Sequence, residues 1–182
     1  SSGRKYRTSH NKSRVAWLQG NVNLSALKYI LERRTVQEAE RIYREATRLL
    51  LWEVRYFRPL EKEEHLVFVD PSTGEVFAYR HLLDENAPGA SLSPEAARAL
   101  AETFVEQQGY RLGDFELQDT QVEKRKARQD YTLVWQSKPG DPRNVGDAHY
   151  RLQVDIAGDQ VVGVARHFKL PEEWQRQQRA TG

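Results

Sequence analysis

The apolar residues of this chain change their spacing from helical to alternating twice, and that switch limits the fold more than any other feature. From Thr35 onward Val36, Ala39, Ile42, Tyr43, Ala46, Leu49 and Leu50 recur at steps of three and four and mark one helical face. Arg41, Arg44, Glu45 and Arg48 fall largely off it. Thr35 and Glu38 have the spacing of a capping box, in which each side chain accepts from the other's backbone N–H. A shorter helix is predicted over 24–33, with Asn23 as its N-cap. The spacing then becomes two. Trp52, Val54 and Tyr56 alternate with Glu53, Arg55 and Phe57 until Pro59 ends the strand. Further strands are predicted over 66–69 and 76–81. Between them Asp70-Pro71-Ser72-Thr73-Gly74 is turn chemistry: Pro presets φ and Gly permits positive φ.

The same order returns in the second half. Ser93 is a good N-cap, Pro94 occupies the first helical position and Gly109 follows the helix end. Ala96, Ala97, Leu100, Ala101, Phe104 and Val105 form the stripe that helix should bury. Strands are predicted over 115–122, 131–135, 150–156 and 161–168, with a turn at Gly158-Asp159 closing the last hairpin.

The expected fold class is therefore α+β. Two repeated units are expected, each a helix packed on a curled antiparallel sheet, and the second has an extra strand. Pairing their exposed edges into one continuous sheet would hide two edges. The expected divisions are a basic flexible arm over 1–22, a first α+β unit over 23–86, a second over 87–170 and a polar tail over 171–182. The arm carries Arg4, Lys5, Arg7, Lys12 and Arg14 without an acid. The chain holds no methionine, so it reads as a fragment, with Ser1-Ser2-Gly3 as a tag remnant.

Composition narrows the chemistry. The absence of cysteine excludes disulfide scaffolds, thiolate zinc sites and thiol nucleophiles. A net charge of +2 gives no overall field for nucleic acid. No wholly apolar run exceeds four residues, Leu49-Leu50-Leu51-Trp52 being one, far short of the roughly 20 residues of a membrane span. No phosphate-cradling glycine loop is present, and Gly89-Ala90-Ser91-Leu92-Ser93 lacks the second glycine of a nucleophile elbow.

Few residues suggest a site. His10, His65, His81, His149 and His167 show no helical H-x-x-x-H spacing. His81 and His167 occupy equivalent positions, after Arg80 and Arg166. They read either as a paired site at the unit interface or as strand-end residues with solvated rings. Glu61, Glu63 and Glu64 read as a solvated turn. Lys124, Arg125, Lys126 and Arg128 form the sharpest charge run. It suits phosphate or anionic lipid, or it is a solvated hairpin loop with no interleaved aromatics. The expected interaction surface comprises these four cations with Arg80, His81, Arg166 and His167 on the sheet face and edge of the second unit. No catalytic residue, metal ligand or cofactor is assigned.

Three stretches carry a family resemblance. The first runs from Trp52 through Phe57-Arg58-Pro59-Leu60-Glu61-Lys62-Glu63-Glu64 to Val69-Asp70-Pro71 and Gly74. The second is Glu85-Asn86-Ala87-Pro88-Gly89-Ala90 with Glu95-Ala96-Ala97-Arg98 and Ala101. The third joins Gln129-Asp130-Tyr131-Thr132-Leu133-Val134-Trp135, Tyr150-Arg151-Leu152, Gly158-Asp159 and Leu170-Pro171-Glu172-Glu173-Trp174. Together they resemble the extramembrane region of bacterial CPBP-family (CAAX-protease-related) intramembrane metalloproteases, over roughly residues 30 to 176. The resemblance implies a non-catalytic, extracytoplasmic ectodomain of a membrane-anchored parent, regulating the attached protease domain or recognising its peptide substrates. That family's E-E-x-x-x-R motif is nearly imitated by Glu172-Glu173-Trp174-Gln175-Arg176. The arginine comes one position early in a polar segment, so no catalytic role carries over. The element order also resembles PepSY or cystatin-type units. Two other readings are an anionic lipid or nucleic-acid binding module and a small soluble hydrolase. The first needs the arm and the 124–128 loop on one face, and the second needs titratable groups converging in a cavity.

Overall fold

Local signals set the helices. In a computed structural model describing residues 13–20 and 23–181, Asn23 accepts from the Ala26 N–H and starts α1 (Leu24–Leu31). The Thr35–Glu38 capping box forms in full and starts α2 (Val36–Ala46). Ser93 caps α3 (Pro94–Gln107), and α4 (Glu172–Thr181) follows Pro171. Helix α2 stops short of the predicted Leu49 and Leu50. Thr47 turns extended and returns its hydroxyl to the Tyr43 carbonyl at 2.9 Å. Leu50 instead opens β2 (Leu50–Phe57), where strand pairing claims its backbone. No helix among the described residues is long and apolar enough to cross a membrane.

The strands are β1 (Ser13–Gly20), β2, β3 (Glu64–Val69), β4 (Val76–Leu82), β5 (Phe115–Lys124), β6 (Gln129–Ser137), β7 (His149–Ala157) and β8 (Gln160–Lys169). They form one antiparallel sheet in the order β1-β2-β3-β4-β8-β7-β6-β5. Two meanders thus meet through their last strands, so the expected continuous sheet is present. The seam is narrow: Tyr79 pairs Val164 and Arg80 pairs Gly163. A Cβ on Gly163 would lie 3.1 Å from Asp155 Oδ2 and 3.5 Å from the Tyr79 carbonyl, so glycine lets the strands close. The Tyr79 hydroxyl and the Val161 carbonyl, 2.9 Å apart, add a tie.

Residues 13–20 correct the expectation of a flexible arm. Val15 and Trp17 alternate with Arg14, Ala16 and Leu18, and the whole segment pairs with β2. Arg4, Lys5, Arg7 and Lys12 lie outside the described residues.

The helical layer is unevenly placed. Tyr43 of α2 packs on Phe168 of β8, and Tyr29 of α1 meets Trp174 of α4 edge-on at 5.2 Å. Helix α3 lies across β6, β7 and β8. One hydrophobic core therefore joins α1 and α2 to Tyr131, Leu133, Trp135, Tyr150, Leu152 and Val154. The helices that lie between β1 and β2 in sequence thus cover the second half of the sheet. Strands β1, β2 and β3 add nothing to this core, and Leu51 is their only buried residue.

Asp70 ties α2 to the β3–β4 turn. Its carboxylate accepts from the Ser72 hydroxyl at 2.5 Å, the Ser72 N–H at 2.8 Å and the Thr73 N–H at 3.4 Å, and it pairs with Arg48. These donors, Ser72 foremost, hold its carboxyl well below the usual range. A depressed folded-state pKa stabilises above the unfolded value near ~3.9, and that contribution is lost as the pH falls towards the folded value. Asp70→Asn should therefore cost about 1.5–3 kcal/mol at neutral pH, the range for hydrogen bonds to a charged group. Urea unfolding at stepped pH should show the gap to wild type closing below about pH 4.

Candidate functional site

The basic hairpin loop is largely consumed by structure. Arg128 is 6% exposed, so it does not belong to the interaction surface expected from sequence. Its Nη1 donates to the Asp84 and Ala87 carbonyls at 2.8 and 2.7 Å, and its Nε reaches Asp130 at 2.8 Å. Arg125 pairs with Glu123 at 2.7 Å and Asp130 at 3.1 Å. Lys124 and Lys126 are exposed, but acids balance the run locally.

Arg166 lies inside the sheet rather than on an edge. It stacks 4.0 Å over the Phe77 ring and donates to the Phe77 carbonyl at 3.0 Å, across the seam. Beside it a cleft of about 450 Å³ holds Arg48, Asp70 and Tyr110, whose hydroxyl burial pushes up to about 12. Arg80 is exposed on β4. His167, opposite Arg151, has its pKa lowered by burial first and then by Arg151 and Lys169. Tyr79 faces Val164, so His81 lies on the face of Val164 and Arg166, and His167 lies on the other. The sheet separates the two histidines that sequence equivalence suggested as a pair.

His81 has a different partner. Register sets His65 directly opposite His81 and Tyr56 directly opposite His65, in one row across β2, β3 and β4. The two imidazoles stack at 4.0 Å, tilted by 15°. Glu63, two residues before His65, hydrogen-bonds the His81 Nε2 at 2.7 Å, and that bond first of all holds its carboxyl below the usual range. A cavity of about 380 Å³ opens beside the row, lined by Tyr56, Phe57, Arg58, Glu61, Glu63, His65 and Val67.

This row belongs to the half of the sheet without helices. There Val15, Leu18 and Trp52 are 48%, 48% and 41% exposed, and Trp17 is 38% exposed. Alternation puts Val15 and Trp17 on one face and Leu18, with its neighbour Trp52, on the other. Apolar surface is thus concentrated on both sides of β1, and no described strand pairs with its outer edge. Exposed apolar patches on a long edge strand mark association sites.

No family model, curated protein or solved structure matches the chain.

Proposed function

We propose that this chain is a non-catalytic recognition module that captures extended peptides by adding them as a strand beside β1. In this reading it is the extracytoplasmic region of a membrane-anchored CPBP-family intramembrane metalloprotease and presents substrate to the attached protease domain. The three sequence stretches that resemble that family support the parent. The order of helix then antiparallel strands in each half is what supports PepSY or cystatin-like units, although α1 and α2 pack on the second half of the sheet rather than on their own.

The carrying observation is the outer edge of β1, unpaired among the described residues, with apolar side chains on both faces. A strand laid there gains main-chain hydrogen bonds. Its alternate side chains meet Val15 and Trp17 on one face and Leu18 and Trp52 on the other. The test titrates the chain with a panel of unstructured peptides of alternating apolar pattern and follows tryptophan emission. Trp135 and Trp174 are already buried, so a blue shift reports Trp17 and Trp52. Saturable binding is expected, and Trp17→Lys/Leu18→Lys should weaken it by about tenfold or more with the fold intact. Unchanged affinity in that variant, or no binding across the panel, would remove the reading.

A further inference from the structure

We propose that Glu63, His65 and His81 form a binding site for a first-row divalent metal ion, with Zn²⁺ the closest match. Their ligand atoms all lie within 4.8 Å of one another. Two imidazole nitrogens and a carboxylate oxygen are a donor set that zinc takes, with bonds of roughly 2.0–2.2 Å. Such bonds space neighbouring donors roughly 3–3.5 Å apart. Glu63 and His81 already stand at 2.7 Å, so a metal entering between them replaces one hydrogen bond with two coordinate bonds.

The placement is built by the fold. The β3–β4 turn together with the one-residue register shift between Phe68 and Val69 faces His65 with His81, and the two-residue step puts Glu63 on the same face as His65. Glu63 and His65 are exposed and His81 is half-buried, so ions have access. The three donors leave a coordination position for water. Glu61 lines the same cavity and adds negative charge. Arg58 lines it too and opposes a cation, but it already pairs with Glu61 at 3.3 Å. A bound ion would staple β3 to β4 in the part of the sheet that lacks a core of its own. This site stands whether or not peptides bind at β1.

The test uses the purified chain with Zn²⁺ and with Co²⁺ as a spectroscopic probe. Calorimetry should show one ion per chain, and Co²⁺ should develop visible ligand-field bands. Zn²⁺ at a hundredfold excess over Kd should raise Tm by roughly 5–10 °C. His65→Ala and His81→Ala should each weaken binding by at least about 100-fold, more than the loss of an outer-shell partner costs. His149→Ala and His167→Ala should bind as wild type. Glu63→Gln, at an exposed position, keeps the test valid if a histidine variant misfolds, and it too should weaken binding. Zinc binding that survives His65→Ala/His81→Ala, or no ligand-field bands and no thermal shift at up to millimolar metal, overturns the proposal.

Discussion

Arg128→Ala should lower the unfolding free energy by about 3–5 kcal/mol, since it takes the donor from two carbonyls, at about 1–3 kcal/mol each, and removes a buried side chain. The side chain is 4% exposed and joins two segments: the 84–90 linker through the Asp84 and Ala87 carbonyls, and its own hairpin through Asp130. Gly89 lies against it, since a Cβ there would be 3.1 Å from the Arg128 Cβ. The linker is further tied by the Gly89 N–H to the Ala127 carbonyl and the Gln129 N–H to the Ala90 carbonyl, at 3.0 and 3.2 Å. Truncation leaves the Asp84 and Ala87 carbonyls without this donor and Asp130 with Arg125 as its remaining partner. Urea unfolding measures the loss. Lysine should recover only part of it, because one ammonium cannot replace a planar fork reaching both sides. A loss below about 1 kcal/mol would mean that this arginine is a surface residue after all.

Tyr29→Ala should cost about as much, ~3–5 kcal/mol. Tyr29 is 2% exposed, stacks beneath Arg33 at 3.7 Å, meets Trp174 and accepts the Asp147 N–H at 3.2 Å. Its effect should reach distant chain: α4 and the loop around Asp147 lose their anchor, although Tyr29 lies between β1 and β2 in sequence. Leu66→Ala, a half-buried aliphatic in β3 outside the core, should cost about 1 kcal/mol or less. Denaturant melts of the two variants separate a shared core from two independent ones. Equal losses would indicate that the first meander carries a core of its own.

Features that depend on neighbouring residues were legible in the sequence. The Thr35–Glu38 box, the Ser93–Pro94 start, the Asp70–Gly74 turn and the Gly158 turn each rest on a few adjacent side chains, and each forms. Features that depend on a distant partner were not. Residues 13–20 read as an arm because their alternation is half polar, and only pairing with β2 makes them a strand. The stripe of α2 predicts a buried face but not which sheet buries it, so its packing on Phe168 was invisible. Arg128 looked solvated because nothing local shows that the 84–90 linker wraps it. The histidine pair was not legible either: counting back from the Asp70–Gly74 turn sets His65 against Arg80, and only the register shift between Phe68 and Val69 brings His81 opposite it.

The central physical claim is the asymmetry of a single sheet whose helical cover stops at β4, leaving the β1–β3 half without a core. Native-state hydrogen exchange tests it most directly. Amides of β6 and β7, beneath α3, should exchange only through global unfolding. Those of β2 and β3 should exchange through a cheaper opening that leaves β6 and β7 protected. Protection in β2 and β3 equal to that of β6 and β7 would contradict the account.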